Sequence, residues 1–259
     1  MRIEKQGVMQ DWDKRAEQYT QRSEYHLKSE EQKAEWKGTL DKIIDNKSSL
    51  DMLDVGTGPG FLALLLAEMG HNCTGVDLST KMLKIAQRKA NANDLQCRFL
   101  HGDAEKLDFE DHSFDVVINR HLLWTLPHPG VALREWVRVL RPGGKLVIFD
   151  GDWTTHNMDK RRKYKQLLGN YLVMISEKRY TLNWRKRYKT RINNEKLPFE
   201  GADEGKVMSL MEAAGLSNIS TASMEHLLKV DSKSFPLKYR LSFIEPYQRY
   251  IVIGEKLGH

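Results

Sequence analysis

Cysteine is nearly missing from this sequence: Cys73 and Cys97 are the two in 259 residues. Both fall in apolar runs predicted as strands, which excludes a disulfide framework and reads them as reduced core residues of a cytoplasmic protein. Long apolar runs are missing as well. The longest mostly apolar stretch, Phe61 to Met69, is far short of the roughly 20 residues that cross a bilayer, and no charged-then-apolar leader opens the sequence. The expectation is a soluble, unexported protein without a membrane partner. Internal repeats and low-complexity segments are absent too, so solenoids and disordered tails are excluded. What remains suits one large α/β domain with an elaboration.

Charge is present but uneven. The net charge is +6, yet residues 156 to 196 hold thirteen Lys or Arg against Asp159, Glu177 and Glu195, a local balance of +10, and the rest of the chain carries −4 by subtraction. Positive charge belongs to one segment. It also carries Tyr164, Tyr171, Tyr180, Trp184 and Tyr188, with Leu167, Leu168, Leu172, Val173 and Ile175 at near-helical spacing. One reading is a helical cap over a pocket, with cations selecting an anionic substrate. Another is nucleic-acid binding, with Lys and Arg tracking phosphates and aromatics stacking bases. A third is a solvated helix face that only confers solubility.

The turn Asp54-Val55-Gly56-Thr57-Gly58-Pro59-Gly60 follows an apolar strand and precedes a helical run. Glycine permits positive φ and close approach of a ligand, and the helix N-terminus offers free N–H groups. A dinucleotide loop, G-x-G-x-x-G, would place its third glycine at position 61, where this chain has Phe. Asp54 would also repel a pyrophosphate. The ligand at this turn is therefore read as neither a dinucleotide nor an anion.

Strands are predicted near 51–55, 72–77, 96–101, 114–119, 145–150, 217–227 and 248–256. Helices are predicted near 60–69, 79–92, 130–140 and 201–215, with Ser79 as an N-cap and Gly70 and Gly143 as C-terminal caps. That alternation is the pattern of a doubly wound α/β sheet, which binds ligands at the carboxyl ends of its strands.

Leu53 to Gly60, Gly75-Val76-Asp77-Leu78-Ser79 with Met82-Leu83, Gly102-Asp103-Ala104, Phe114-Asp115-Val116-Val117 and Leu140-Arg141-Pro142-Gly143-Gly144-Lys145-Leu146 resemble, in order and spacing, the motifs of class I S-adenosylmethionine-dependent methyltransferases. Trp12-Asp13-x-x-Ala16-x-x-Tyr19 resembles the N-terminal lid of the branch, methyltransferase type 11-like, that mostly methylates small molecules. The resemblance fades after residue 155. It implies a Rossmann-like, mostly parallel seven-stranded sheet with an antiparallel last strand. It implies, further, an N-terminal helical lid over 1–48, a cofactor-binding core over 49–153 and 201–259, and an inserted helical cap over 154–200. The cofactor implied is S-adenosyl-L-methionine.

The resemblance carries the cofactor site onto Tyr19, Asp54, Gly56, Gly58, Gly60, Asp77, Leu78, Met82, Asp103, Ala104 and Asn119. Asp77 would accept from both ribose hydroxyls, Asp103 from the adenine amino group, and Ala104 would offer a backbone N–H to the ring. Asn119 would supply a backbone carbonyl to the methionine ammonium. Met82 and Leu83 either sandwich the adenine or fill the helix face. Methyl transfer from a sulfonium needs alignment more than acid or base, and positioning can supply about 7 to 11 kcal/mol. A base still helps a protonated nucleophile, and His121, after the fourth strand, is the candidate; the alternative is a histidine that packs the loop. Trp124 and Trp153 are candidates to wall the sulfonium or substrate. Asp150 and Asp152 end the fifth strand, but no third ligand is visible, so no metal is expected.

A small-molecule acceptor is the favoured reading. Asn-Pro-Pro-Tyr, Asp-Pro-Pro-Tyr and Pro-Cys are all absent, which speaks against the nucleic-acid enzymes that use them. An RNA or protein methyltransferase using the basic segment, and a non-catalytic cofactor-binding protein, are the other two readings. The sequence does not specify an oligomeric state.

Overall fold

The computed structural model describes residues 3–23, 27–45, 47–151, 160–177, 203–242 and 249–258. Its centre is a seven-stranded sheet built from β1 (Asp51–Val55), β2 (Asn72–Asp77), β3 (Cys97–His101), β4 (Phe114–Arg120), β5 (Leu140–Gly151), β6 (Ser217–Ser223) and β7 (Arg249–Glu255). The strand order is β3-β2-β1-β4-β5-β7-β6. The first five strands run parallel, while β7 is antiparallel to both β5 and β6.

Helices cover both faces, so the central strands are apolar on both sides rather than alternating. Helices α2 (Glu30–Ile43), α3 (Phe61–Glu68), α4 (Thr80–Ala92) and α8 (Glu225–Ser234) lie on one face, where Trp36, Leu40, Leu62, Leu66 and Leu227 pack on Met52, Ile118 and Phe149. On the other face α5 (Pro129–Val139) and α7 (Glu204–Ala213) bury Leu133, Trp136, Val207 and Met211 against Leu53, Val117, Leu146 and Val252. The sheet is the wall between two cores.

Helix starts follow their capping residues. Ser29 and Gln32 form a capping box on α2, Ser79 Oγ accepts from the Met82 N–H at α4, and Asp203 accepts from Lys206 at α7. Two expectations are corrected, and one helix is added. Gly70 follows a helix end as expected, but α5 stops at Val139, and Gly143 lies beyond it inside β5 with φ +77°. The α5 carbonyls are met instead by Lys256 Nζ, which donates to Val137 and Leu140 at 2.8 and 2.7 Å. The strand expected to reach 227 ends at Ser223, because Met224, Leu227 and Leu228 share helical spacing and bury into the α2–α3 layer. Helix α9 (Leu237–Ser242) was not foreseen.

Of the 1–48 stretch, α1 (Ile3–Ser23) approaches the carboxyl end of the sheet, whereas α2 packs on α3 and α8 as core. The insertion expected over 154–200 is described only as α6 (Lys160–Glu177), which packs along α9. Trp153, Asp152, Tyr180, Trp184, Tyr188 and the Arg185-Lys186-Arg187 run lie outside the described residues. Among the described residues no helix is long and apolar enough to cross a membrane.

Candidate active site

A cavity opens at the carboxyl ends of β1, β2, β3 and β4, beneath α1. The space it encloses, about 790 Å³, is partly open to solvent. Tyr19, Gly56, Gly58, Asp77, Leu78, Met82, Asp103, Ala104 and His121, all singled out from sequence, line it. Asp54, Gly60, Asn119 and Trp124 do not.

The loop after β1 is shaped by glycine. Gly56 has φ +70°, and a Cβ there would stand 2.7 Å from a Leu122 methyl. Gly60 has φ +82° at the start of α3, and its missing Cβ lets Ala86 of α4 approach, so this glycine serves helix packing. The Gly58 N–H donates to Asp77 Oδ2 and the Ser79 N–H to Asp77 Oδ1, each at 2.8 Å. Asp77 thus ties the loop to α4 while its outer lone pairs face the cavity. Burial pushes its carboxyl up, and the two N–H groups oppose that.

Asp54 faces the other way. Strand alternation puts it with Met52 on the α3 face, 3% exposed, where Oδ2 accepts from Thr57 Oγ1 at 2.7 Å and from the Ala63 N–H at 3.1 Å. Burial raises its pKa to about 7 against these hydrogen bonds. An acid raised in the folded state stabilises most below its unfolded value of about 3.9, and that contribution is lost as pH rises through about 7. Asp54→Asn should therefore gain melting temperature over the unmodified chain progressively between pH 4 and 8; a difference independent of pH in thermal melts would contradict this.

The lid motif has a physical meaning. Lys5, Val8, Trp12, Ala16 and Tyr19 recur at three- and four-residue spacing, so one face of α1 meets the cavity and α4. Ala16, 1% exposed, lets α1 approach Met82 and Ile85. Asp13 accepts from Ser79 Oγ and the Lys81 N–H, which docks α1 on the N-terminus of α4. Trp12 and Tyr19 meet edge to face at 5.5 Å over the cavity, and Trp124 stands behind Trp12 at 6.4 Å. At the far end Lys5 Nζ bridges Asp103 at 2.6 Å and Glu105 at 2.7 Å. Burial alone would lower the lysine pKa, but the two carboxylates outweigh it and raise it.

β4 ends in three consecutive polar residues that point to different places. Asn119 is fully buried, and neither its Oδ1 nor its Nδ2 has a partner among the described residues. Arg120 lines the cavity with its guanidinium 4.1 Å from the Phe61 ring centre and 5.3 Å from that of Trp36. Phe61, which replaces the dinucleotide glycine, is thus a platform for a cation. His121 has φ +58°, unusual for a side-chain-bearing residue, and among the described residues it is the one of six such non-glycine positions that lines the cavity. Its N–H donates to Phe149, and its Nδ1 stands 3.8 Å from Oδ1 of the buried Asp150. Strained backbone held by neighbours is a mark of functional positions.

Sequence reasoning missed Lys5, Trp12 as a wall, Glu105 and Arg120. Helical spacing from Tyr19 and strand alternation from Ile118 were the signals available. One of the three readings of the basic segment placed its cations in the pocket, and residues 178–196 of that segment lie outside the described residues. Among the described residues the lining carries Asp77, Asp103 and Glu105 against Lys5 and Arg120, and α6 contributes none.

Residues 53–148 match the family described as Methyltransferase domain. The chain is 39% identical over 117 residues to a demethylmenaquinone methyltransferase of Thermus thermophilus, covering 44% of this chain and 53% of that protein. It is 32% identical over 127 residues to a sterol 4-C-methyltransferase of Caenorhabditis elegans, covering 48% and 38%. The chain spans about half the length, or less, of these relatives. The solved Haemonchus contortus phosphoethanolamine N-methyltransferase 2 with S-adenosyl-L-methionine superposes with a TM-score of 0.60 at 18% identity, covering 85% of this chain and 51% of that one. The [4+2]-cyclase SpnF superposes with 0.57 at 18% identity, covering 86% and 80%. The fold, and the matched residues 53–148 within it, are like those of S-adenosylmethionine-dependent methyltransferases. The cofactor of that family is S-adenosylmethionine.

Proposed function

We propose that this protein transfers a methyl group from S-adenosylmethionine to a small-molecule acceptor. The observation that carries the reading is one cavity bringing together Asp77, the Leu78–Met82 wall, Asp103 and His121 at the strand ends. The residues suit the cofactor chemically. Asp77 faces a diol with a carboxylate, Leu78 and Met82 offer apolar area to a flat base, and Asp103 offers an acceptor to an exocyclic amine. Arg120, beside the positive end of α3, suits a carboxylate. The unpartnered Asn119 amide, buried at a cost of about 1–3 kcal/mol per group, marks a polar site beneath the methionine end. Asp54 and Gly60 support the loop from below. Trp12 and Tyr19 present aromatic faces, worth about 0.5–2 kcal/mol to a nearby cation, and Trp124 braces Trp12.

When bound, the cofactor supplies a sulfonium methyl open to in-line displacement. The chain's own part is to hold the acceptor in line, exclude water under α1, and take a proton. His121 is the proton acceptor in this reading, with Asp150 holding its ring as a positioning residue.

Calorimetry should show S-adenosylmethionine binding at micromolar affinity or better, and labelled cofactor incubated with small-metabolite extracts should label a small product. A nicotinamide cofactor bound more tightly would sink the cofactor assignment. Because a cyclase shares the fold, product formation without label would move the protein out of methyl transfer while leaving its cofactor site intact. Label confined to RNA or protein would reverse the acceptor class.

A further inference from the structure

Helix α6 is built with its apolar face outward. Tyr164, Leu168, Tyr171 and Ile175 recur at i, i+4, i+7 and i+11, with Leu167 beside them, so they form one stripe. Their exposures are 75%, 52%, 55%, 57% and, for Leu167, 58%. The opposite side carries Gly169 and Val173, both buried. Leu237, 58% exposed, starts the neighbouring helix α9, which Lys238 Nζ ties to Ser176 Oγ at 3.0 Å. A stripe of this size on a water-facing helix marks an interaction surface.

The sequence around it is strongly basic. Arg161 and Lys165 are exposed along its flank, and residues 156–196 carry thirteen Lys or Arg against three acids. Two copies meeting through this face would bring like charges together, which is unfavourable. RNA would need cations within the face, where Leu167, Leu168 and Ile175 stand instead. Tyrosine and aliphatic side chains on one face with Lys and Arg at its margin match a different surface, the headgroup boundary of an anionic bilayer.

We propose that α6 seats the protein on an anionic membrane surface, with Tyr164, Leu167, Leu168, Tyr171 and Ile175 entering the boundary and flanking cations holding lipid headgroups. The expectation from sequence of no membrane partner rested on the lack of a leader and of a spanning segment, neither of which bears on surface docking. The docking is independent of the methyl-transfer reading. If both hold, the acceptor is a membrane-dissolved, apolar molecule, because α6 follows β5, the neighbour of β4, and Asp150 of β5 stands 3.8 Å from the cavity-lining His121.

The test is flotation of the 259-residue chain with phosphatidylcholine vesicles, with and without phosphatidylglycerol. The unmodified protein should float with the anionic vesicles, and added salt should weaken this. Leu168→Gln combined with Tyr171→Gln and Ile175→Gln should lower partitioning by about tenfold or more while leaving S-adenosylmethionine binding and the melting curve unchanged, since these side chains face water. Arg161→Gln with Lys165→Gln should weaken binding partially and reduce its salt dependence. No flotation with either vesicle, or undiminished flotation of the triple variant, would overturn the proposal. So would a dimer of the unmodified chain that the triple variant converts to monomer, or RNA binding lost in that variant without vesicle binding.

Discussion

Asp77→Ala should raise the dissociation constant for S-adenosylmethionine by about 100-fold. Both carboxylate oxygens already hold loop N–H groups, from Gly58 and Ser79, at 2.8 Å, so their remaining lone pairs are aimed rather than free to wander. Two charge-assisted hydrogen bonds to a diol are worth about 1.5–3 kcal/mol each, and taking the lower figure for solvent compensation gives about 3 kcal/mol, or two decades. Asp77→Asn keeps one acceptor oxygen and should lose about one decade. Calorimetry on the folded variants checks both; an unchanged constant would show that the ribose is held elsewhere.

His121→Ala should cut kcat at neutral pH by about 10² to 10⁴-fold, the usual worth of a positioned base, with cofactor affinity nearly kept. Asp150 gives the claim a second handle. Its carboxylate lies 3.8 Å from Nδ1, and a nearby anion favours the protonated ring. Asp150→Asn should therefore move the rising inflection of the pH–rate profile to lower pH. Loss of rate without that movement would make Asp150 merely structural, and a His121 variant within a few-fold of the unmodified rate would leave alignment as the whole mechanism.

The parallel half of the fold was legible because its strands are short apolar runs between glycine turns, and β1, β2 and β4 begin where the sequence says they do. The carboxyl-terminal half was harder. Ser217 to Leu227 alternates well enough to read as one strand, and only tertiary burial of Met224 and Leu227 turns its end into α8. In the site, Asp77 and Asp103 were legible because a carboxylate after a strand in this fold points to the ligand edge. Asp54 was harder to read, since the same motif places it one residue before Val55 on the face turned toward α3. Arg120 had no motif to announce it. Its place depends on Phe61 and Trp36 coming together from α3 and α2, which no local pattern encodes.

The position of β7 also governs when the protein can finish folding. Residues 249–255 lie between β5 and β6 and register with both, from Lys145↔Glu255 to Gly151↔Arg249 on one side and Ser217↔Glu255 to Ser223↔Tyr250 on the other. During synthesis, the five parallel strands emerge first and leave the β5 edge bare, a row of unsatisfied backbone groups able to recruit strands from other chains. β6 cannot cover it, because its own place is one strand further out. The sheet closes only once residue 255 has cleared the ribosome, so the nascent chain passes through a long interval as an open-edged sheet, and the demand for chaperone protection falls on that interval rather than on the finished protein.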